Sequence, residues 1–433
     1  MRSKAAGWTV PSEFAKGESN VRYYCRHMPA VFVRAANARV WDEDGAEYID
    51  FFSACGSLNY GHNHPAMKDE VLAYLAGDGI LNGLDLHTGA KREFIKTFRE
   101  NILAPRGLPH RLQFTGPTGA NAAEAALKLA RKVTGRSTVA AFTQAFHGMT
   151  MGALSVSARR EARRSAGVPL DDVIRLPFEG YEGAGTAEID RFEAMVNDPS
   201  GGIEPPAAFI VEIVQGEGGL NAASAVWLRH LAASAKRMGA LLIADDVQAG
   251  CGRTGDFFSF EHAGVVPDMI CLAKSVSGIG LPMALLLLKP EIDQWAPGEH
   301  NGTFRGNNLA FVSASVAARL WRNEDFQKAV ASSSARVRAW LKDTAREAGR
   351  DLASPKGRGF MSGLAFARRG MAEHIAAEAF RHRVLIECGG SHGEVLKLFP
   401  PLTIEVDVLE EGLARLRRAV MTVVNRERQR SAA

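Results

Sequence analysis

The sequence has little that would connect it to an oxidising compartment or to a structural metal ion. Of its 433 residues only five are cysteines, and they are scattered and odd in number: Cys25, Cys55, Cys251, Cys271 and Cys388. Disulfide frameworks use paired cysteines, and zinc sites use closely spaced cysteines and histidines; the sequence has neither pattern. We therefore expect free thiols, a cytoplasmic location and no metal site.

Long apolar runs and an excess of charge of one sign are also missing. The longest apolar run, Leu281 to Leu288, includes a proline and is far too short to cross a bilayer. The first eight residues have no apolar core for a signal peptide. The formal net charge is only +4, from 52 basic and 48 acidic residues, so neither a nucleic-acid nor a membrane partner is expected. What remains is the composition of a globular protein of two or three domains.

In the middle of the chain, apolar strands alternate with amphipathic helices. Strands are predicted at Leu112–Thr115, Thr138–Phe142, Ala207–Glu212, Leu241–Ala244, Met269–Ala273 and Met283–Leu288, with helices at Lys91–Leu103, Asn121–Val133 and Ala225–Met238. This alternation predicts an α/β fold with a largely parallel sheet, whose functional groups lie at the carboxyl ends of the strands.

The two ends of the chain have a different pattern. The N-terminal region has short strands at Ala30–Ala35 and Glu47–Phe52. After Asn307 the pattern predicts helices at Asn308–Trp321, Asn323–Glu347 and Asp407–Asn425, and strands at Gly359–Phe366, Val384–Glu387 and Val395–Phe399. We therefore divide the chain into an N-terminal arm with part of a small domain (1–65), a large domain (66–322) and a C-terminal small domain (323–433).

One stretch carries the clearest chemical signal. The apolar run Leu241–Ala244 ends in Asp245 and Asp246, a glycine-rich loop follows, and Lys274 lies beyond it among small and apolar residues. Apolar surroundings favour the uncharged, nucleophilic form of an amine. An amine that bonds to an aldehyde, together with a buried acid for a pyridinium nitrogen, is what pyridoxal phosphate chemistry needs. Taken alone, these residues fit a helix cap and a surface lysine equally well.

A second signal lies at the start of a predicted helix. The strand Leu112–Thr115 runs into Gly116-Pro117-Thr118-Gly119-Ala120-Asn121, which leads directly into the helix. Backbone N–H groups at a helix N-terminus bind phosphate well. The Gly-Lys-Ser/Thr ending of a Walker A loop is absent. A phosphate cup and a simple capping turn are both compatible with this segment.

Five stretches together resemble, in order and spacing, the class III (ω-amino acid) aminotransferases of fold type I, over essentially the whole chain. They are Thr118-Gly119-Ala120, Phe146-His147-Gly148, the segment Glu212–Gly219, Asp245–Gly255 with Lys274, and His300–Asn307. The resemblance implies pyridoxal 5'-phosphate as cofactor. It also implies a large domain with a mostly parallel seven-stranded sheet, and a small α+β domain built from both chain ends.

The resemblance also implies roles for the residues around the cofactor ring. Lys274 is expected to be the catalytic amine, which bonds to the cofactor and then moves the proton. Asp245 is expected to pair with the pyridine nitrogen. Val247 would pack on one face of the ring, and Gln248 would form a hydrogen bond near the phenolic oxygen.

Further roles follow from the same resemblance. Thr118-Gly119-Ala120 would form the phosphate cup, although Asn121 and Ala123 stand where the family usually has Glu and Asn. Phe146 would stack on the second face of the ring, with His147 beside it. Glu212 and Glu217 match two acids of the family. Thr303 would reach the phosphate of the neighbouring subunit, which implies a homodimer or a dimer of dimers with shared active sites.

The position of the substrate carboxylate is where the chain departs from the family. Many members that use glutamate have an arginine near the C-terminal Pro-Leu-Thr-Ile stretch, and the second acid neutralises it when it is not needed. Here that position holds Lys397, which cannot make the planar two-bond contact of an arginine. Either Lys397 is expected to bind the substrate carboxylate with less favourable geometry, or Arg305 or another basic group binds it, and Glu217 is expected to belong to the substrate site.

Within the family, the motifs Gly116-Pro117-Thr118-Gly119 and Glu299–Asn307 most resemble members that transfer an amino group from L-glutamate to aspartate 4-semialdehyde, the reaction that opens ectoine synthesis. The expected products are L-2,4-diaminobutyrate and 2-oxoglutarate, formed in two half-reactions on small-molecule donors and acceptors. Other possibilities are another ω-amine such as ornithine, 4-aminobutyrate or a natural-product intermediate, an aminomutase or racemase, and a non-catalytic scaffold. The presence of both Asp245 and Lys274 argues against the last.

Overall fold

The structure is a computed structural model of the chain and describes residues 10–432. The first eight residues, for which the sequence predicts no signal peptide, lie outside that range. The strands are β1 Phe32–Ala36, β2 Arg39–Asp42, β3 Glu47–Asp50, β4 Arg111–Gly116, β5 Val139–Phe142, β6 Val173–Leu176, β7 Ala208–Val211, β8 Val214–Gln215, β9 Asn221–Ala222, β10 Leu241–Asp245, β11 Met269–Leu272, β12 Ala284–Leu288, β13 Ala353–Arg358, β14 Met361–Phe366, β15 Val384–Leu385, β16 Glu387–Gly389 and β17 Val395–Leu398. The α-helices are α1 Ser12–Gly17, α2 Ser53–Gly56, α3 Pro65–Ala76, α4 Gly89–Phe98, α5 Gly119–Thr134, α6 Met151–Val156, α7 Arg160–Arg164, α8 Ala187–Asn197, α9 Ala225–Arg237, α10 Asn308–Leu320, α11 Glu324–Ala348, α12 Met371–Arg381 and α13 Val406–Ala432.

The centre of the molecule is a seven-stranded sheet in the order β4-β12-β11-β10-β7-β5-β6. β12 is antiparallel to both of its neighbours, and β11, β10, β7, β5 and β6 run parallel to one another. The predicted α/β fold with a mostly parallel seven-stranded sheet is confirmed. Because the carboxyl ends of β7, β10 and β11 lie at one edge, the residues that follow these strands meet there.

Both faces of this sheet are buried, which explains why its strands are nearly continuous apolar runs. Successive residues of β10 alternate between two core clusters: Leu242 and Ala244 pack into one, and Ile243 packs into the other. The second cluster contains the alanine-rich face of α5, including Ala122 and Ala126. Small side chains on that face let the helix lie close to the sheet, which holds the start of α5 beside the ends of β10 and β11.

A second sheet joins the two ends of the chain. Its strand order is β1-β2-β3-β15, and β15 pairs in parallel with β3, so that Val384 lies opposite Ile49 and Leu385 lies opposite Asp50. The sheet of N-terminal strands is therefore extended by a strand from the C-terminal region. This pairing agrees with a small domain built from both ends, while the boundaries at residues 65 and 322 stay a prediction.

One predicted strand is wrong in the C-terminal region. The segment Val384–Glu387 is not a single strand, because it breaks at Ile386: β15 joins the N-terminal sheet, and β16 pairs with β17 in a separate sheet of order β13-β14-β17-β16. The prediction missed β13, an edge strand that contains Pro355 and lacks apolar alternation. It also missed β6, one of the two edge strands of the central sheet.

Candidate active site

A pocket of about 390 Å³ lies at the carboxyl edge of the central sheet, between the start of α5 and the ends of β10 and β11. Most of the predicted site residues line it: Thr118, Gly119, Ala120, Phe146, His147, Glu212, Glu217, Asp245, Val247, Gln248 and Lys274. Thr303, Arg305 and Lys397 do not. A larger surface cavity of about 1050 Å³ beside α4 contains none of these residues.

Asp245 is a buried acid with a fixed orientation at the end of β10. It is 4% exposed, its Oδ2 lies 2.6 Å from His147 Nδ1, and its Oδ1 accepts a hydrogen bond from the Val247 N–H at 3.1 Å. Because a carboxylate accepts, we assign the proton of the His147–Asp245 contact to Nδ1. His147 Nε2 is buried and has no hydrogen-bond partner among the described residues. The sequence placed His147 beside the ring but contained no signal that it would orient Asp245.

Glu212 acts on the pocket through the backbone. Its two carboxyl oxygens accept hydrogen bonds from the N–H groups of Phe146 at 2.7 Å and Gly216 at 3.1 Å. Burial raises the pKa of Glu212 to about 7; the nearby His147 opposes this rise and the charge of Asp245 adds to it. Glu212 therefore holds the segment that carries Phe146 against the turn after β8.

The start of α5 forms a tight cradle. Thr118 is the N-cap, and both its N–H and its Oγ1–H donate to Asn121 Oδ1, at 3.1 and 2.9 Å. Asn121, where the family usually has Glu, thus closes the first turn of the helix. A Cβ added to Gly119 would lie 2.7 Å from Val247 Cγ1, so only glycine fits there without displacing its neighbour.

Lys274 has a strained backbone beyond the end of β11. Its φ of +53° lies in the left-handed region, which costs a non-glycine residue roughly 1–3 kcal/mol. The next residue secures this conformation, because Ser275 Oγ donates to the Gly56 carbonyl at 2.8 Å and accepts from the Asn59 N–H at 3.1 Å. Strain that neighbours maintain in this way is typical of a functional position, and Lys274 lines the pocket.

Gln248 is connected to a residue that the sequence interpretation missed. Its Nε2 donates to the Cys55 carbonyl at 3.0 Å and lies 3.4 Å from Cys55 Sγ. Cys55 belongs to the turn over α2, whose φ is positive at Ala54 and Cys55. Burial raises the pKa of the Cys55 thiol to about 11, so Cys55 is an uncharged neighbour of Gln248. A positive φ away from glycine leaves no mark in a sequence, so no local pattern would have indicated this turn.

The three predicted residues outside the pocket have different surroundings. Thr303 is exposed, and Arg305 is half-buried, with Nε and Nη2 that have no hydrogen-bond partner among the described residues. Lys397 is fully buried, donates to Glu217 Oε1 at 3.0 Å and lies 2.9 Å from Glu387 Oε1. Glu387 was missed as a site residue, since the sequence placed it at the end of a strand that the structure breaks in two.

The pocket fits a phosphorylated pyridine aldehyde. The amide-rich N-terminus of α5 suits the phosphate, the buried carboxylate of Asp245 suits a protonated ring nitrogen, and the amine of Lys274 suits the aldehyde. Cys55, Glu217 and Glu387 have ligand atoms within 4.8 Å of one another, as a metal site would need. The ammonium group of Lys397 contacts Glu217 and Glu387, so it supplies the positive charge that a metal ion would otherwise provide there.

Comparison with known proteins agrees with this chemistry. A family model described as aminotransferase class-III matches residues 22–420. A diaminobutyrate–2-oxoglutarate transaminase from Nocardia farcinica is 52% identical over 411 residues, which are 95% of this chain and 94% of the relative. A protein of the same name from Streptomyces anulatus is 50% identical, over 94% of this chain and 97% of the relative. The ornithine aminotransferase structure from Toxoplasma gondii superimposes with a TM-score of 0.83 at 24% identity, over 96% of this chain and 94% of that one, and shows the fold.

Proposed function

The chain belongs to the class-III aminotransferases, and we propose that it transfers the amino group of L-glutamate to aspartate 4-semialdehyde. The products are L-2,4-diaminobutyrate and 2-oxoglutarate. One observation carries this choice of substrates: relatives that are about half identical over nearly their whole length are named for that reaction. The chain retains the acid and the amine that the reaction needs in a single pocket.

As a member of this family the chain is a pyridoxal 5'-phosphate-dependent enzyme. When bound, the cofactor supplies an electron sink for the carbon that loses its proton. Lys274 Nζ moves that proton, because an amine in the pocket is the base that can act there. Asp245, which His147 orients, would hold a proton on the ring nitrogen. The amides of Gly119 and Ala120 would hold the phosphate, and Phe146 and Val247 would enclose the ring.

We also propose a homodimer, or a dimer of such dimers, with shared active sites. The loop that carries Thr303 lies outside the pocket of its own chain, and Phe304 beside it is 69% exposed. An exposed aromatic residue next to a predicted phosphate ligand is what a loop that enters a neighbouring subunit would present. Thr303 would then complete the phosphate cup of the partner.

Co-expression of Lys274→Ala and Thr303→Ala chains with different tags tests the shared site. In a mixed dimer one site has both defects and the other has neither, so we expect about half of the wild-type activity per dimer. Each variant alone is the control and should be weak or inactive. A mixed dimer as inactive as its parents would refute the shared site.

We propose a cytoplasmic location because the cysteines are free thiols. All five cysteines lie among the described residues, and none forms a disulfide. Among the described helices, none has the length and apolar character that a membrane crossing requires.

The substrate assignment is tested in the reverse direction, with 2-oxoglutarate as the amino acceptor. L-2,4-diaminobutyrate, ornithine and 4-aminobutyrate are compared as donors by kcat/KM, with Lys274→Ala as the inactive control. We expect diaminobutyrate to be preferred by at least about tenfold over both. 4-Aminobutyrate lacks the α-ammonium group, and a site that recognises a polar group discriminates strongly against analogues that lack it. Ornithine is one methylene longer, a difference that is typically worth about 10–200-fold in a fitted pocket. A preference for either of the other amines would overturn the assignment and leave the aminotransferase chemistry intact.

A further inference from the structure

One base and two acids meet beside the pocket. Lys397 on β17 lies directly opposite Glu387 on β16 in the antiparallel ladder. Lys397 is fully buried and Glu387 is 8% exposed. Glu217 lies in the loop after β8, and its Oε1 accepts a hydrogen bond from Lys397 Nζ at 3.0 Å. Of the three residues, Glu217 alone lines the pocket.

This arrangement keeps Lys397 from gripping a substrate carboxylate. A movement of Glu217 would leave the 2.9 Å contact between Lys397 Nζ and Glu387 Oε1 in place, because the strand ladder holds these two residues opposite each other. A buried lysine that keeps an acid partner has little remaining attraction for a further anion. Lys397 also does not reach the pocket wall. Lys397 therefore differs from the arginine found at this position in many family members, because Lys397 has two acidic partners and that arginine has one, which can move away.

Two carboxyl groups share the ammonium group of Lys397 beside the pocket. Burial, the largest single effect, would raise the pKa of Glu217, but Lys397, Lys274 and Arg159 together lower it, so Glu217 is ionised. Burial, together with the charge of Glu217, raises the pKa of Glu387, although Lys397 opposes that rise. The acid that faces the pocket is thus the one that keeps its charge most readily.

Glu217 is also close to the reacting end of the pocket. Cys55 Sγ lies 3.9 Å from Glu217 Oε1 and 3.4 Å from Gln248 Nε2, so one side chain separates Glu217 from the predicted ring edge. Lys274 is near enough to lower the pKa of Glu217 as well, after the larger effects of burial and Lys397. A small molecule bonded near Lys274 therefore lies in the same pocket as this carboxylate.

We propose that Glu217 binds the α-ammonium group of the amino acid whose far carbon is aminated, and that Glu387 allows this by pairing with Lys397 from behind. The inference rests on the proposed function, since aspartate 4-semialdehyde and L-2,4-diaminobutyrate both carry an ammonium group two carbons from the reacting carbon. Without Glu387, Glu217 would be needed to neutralise Lys397. With it, the carboxylate of Glu217 has capacity for a substrate cation. Glu217 is then a specificity residue and Glu387 a positioning residue.

The test compares half-reactions of the holoenzyme with L-2,4-diaminobutyrate and with 4-aminobutyrate, which lacks the α-ammonium group. In Glu217→Gln the ratio of kcat/KM for the two amines should fall at least about tenfold, because a charge-assisted hydrogen bond is lost. Glu387→Gln should lower the same ratio, mainly through a higher KM for diaminobutyrate, because Glu217 must then serve Lys397. The exposed acid Glu373 on α12 supplies the control, and Glu373→Gln should leave the ratio unchanged.

A binding measurement separates recognition from catalysis. In a Lys274→Ala background, calorimetric affinity for diaminobutyrate should fall when Glu217→Gln or Glu387→Gln is added, while affinity for 4-aminobutyrate should not. If both amines weaken equally, or if Glu387→Gln leaves the ratio unchanged, the inference is overturned in favour of Lys397 as a carboxylate clamp with Glu217 as its movable partner. Failure of the wild-type enzyme to use diaminobutyrate would instead refute the proposed function.

Discussion

Two glycines in equivalent positions provide a direct test of the cofactor cradle. Gly89 and Gly119 are each the first residue of a helix, α4 and α5, and each follows a threonine N-cap. A Cβ on Gly89 would meet nothing within 4 Å, whereas a Cβ on Gly119 would lie 2.7 Å from Val247 Cγ1 and 3.0 Å from Cγ2. Replacement by alanine is the same chemical change at both sites, so any difference reports the contact with Val247.

The expected magnitude follows from the overlap. Carbon atoms in ordinary contact are about 3.5 Å apart, so the methyl groups of Val247 must move by close to an ångström. Overpacking of this kind typically costs about 1–3 kcal/mol. Val247 and the amide of Gly119 both line the pocket, so part of this cost appears as lost cofactor affinity. We expect Gly119→Ala to weaken pyridoxal 5'-phosphate binding by about tenfold or more, since 1.4 kcal/mol is one factor of ten.

The assay is a titration of apoenzyme with the cofactor, together with a melting curve at a fixed scan rate. Gly89→Ala should keep the wild-type affinity and melting temperature. Because Val247 is itself proposed to enclose the ring, the double variant Gly119→Ala/Val247→Ala is compared with Val247→Ala alone. In that background Gly119→Ala should cost less affinity than it does in the wild type, because the methyl groups that clash are gone. Equal behaviour of Gly89→Ala and Gly119→Ala, or an undiminished loss in the Val247→Ala background, would refute the steric argument.

Two further predictions concern buried charged groups. Burial, with the charge of Asp245 adding to it, raises the pKa of Asp246 to about 7. In the folded state Asp246 keeps a proton that it releases at a pH of about 4 in the unfolded chain. The contribution of Asp246 to stability is therefore largest at low pH and falls as the pH rises to about 7. Asp246→Asn should accordingly gain melting temperature relative to wild type between these pH values; a difference that is constant or falls with pH would contradict this. Arg253 is fully buried, and its Nε donates to Asn59 Oδ1 at 2.9 Å and its Nη1 to the Pro400 carbonyl at 2.6 Å. Arg253→Lys cannot make both contacts and should lose roughly 2 kcal/mol or more in urea unfolding; a loss within about 0.5 kcal/mol would show that the contacts are dispensable.

The sequence carries the chemistry of this protein in local form. The apolar run that ends in Asp245 and the isolated Lys274 were compatible with a lysine-based cofactor site, and the five stretches that resemble the class III aminotransferases favoured it over a helix cap and a surface lysine. Strand and helix periods indicated the central sheet, because a strand buried on both faces is apolar throughout. The start of α5 was visible as well, since the residues that cap a helix lie next to it in the chain.

Other features depend on contacts between residues far apart in the chain, and only the tertiary structure decided them. The contact of His147 with Asp245, and of Gln248 with Cys55, joins segments that no periodicity relates. The position of Lys397 between two acids depends on the break at Ile386, which places Glu387 opposite Lys397 in the strand ladder. A sequence shows which residues form a strand, but the strand beside it, and therefore the charge across it, is set by how the sheets assemble.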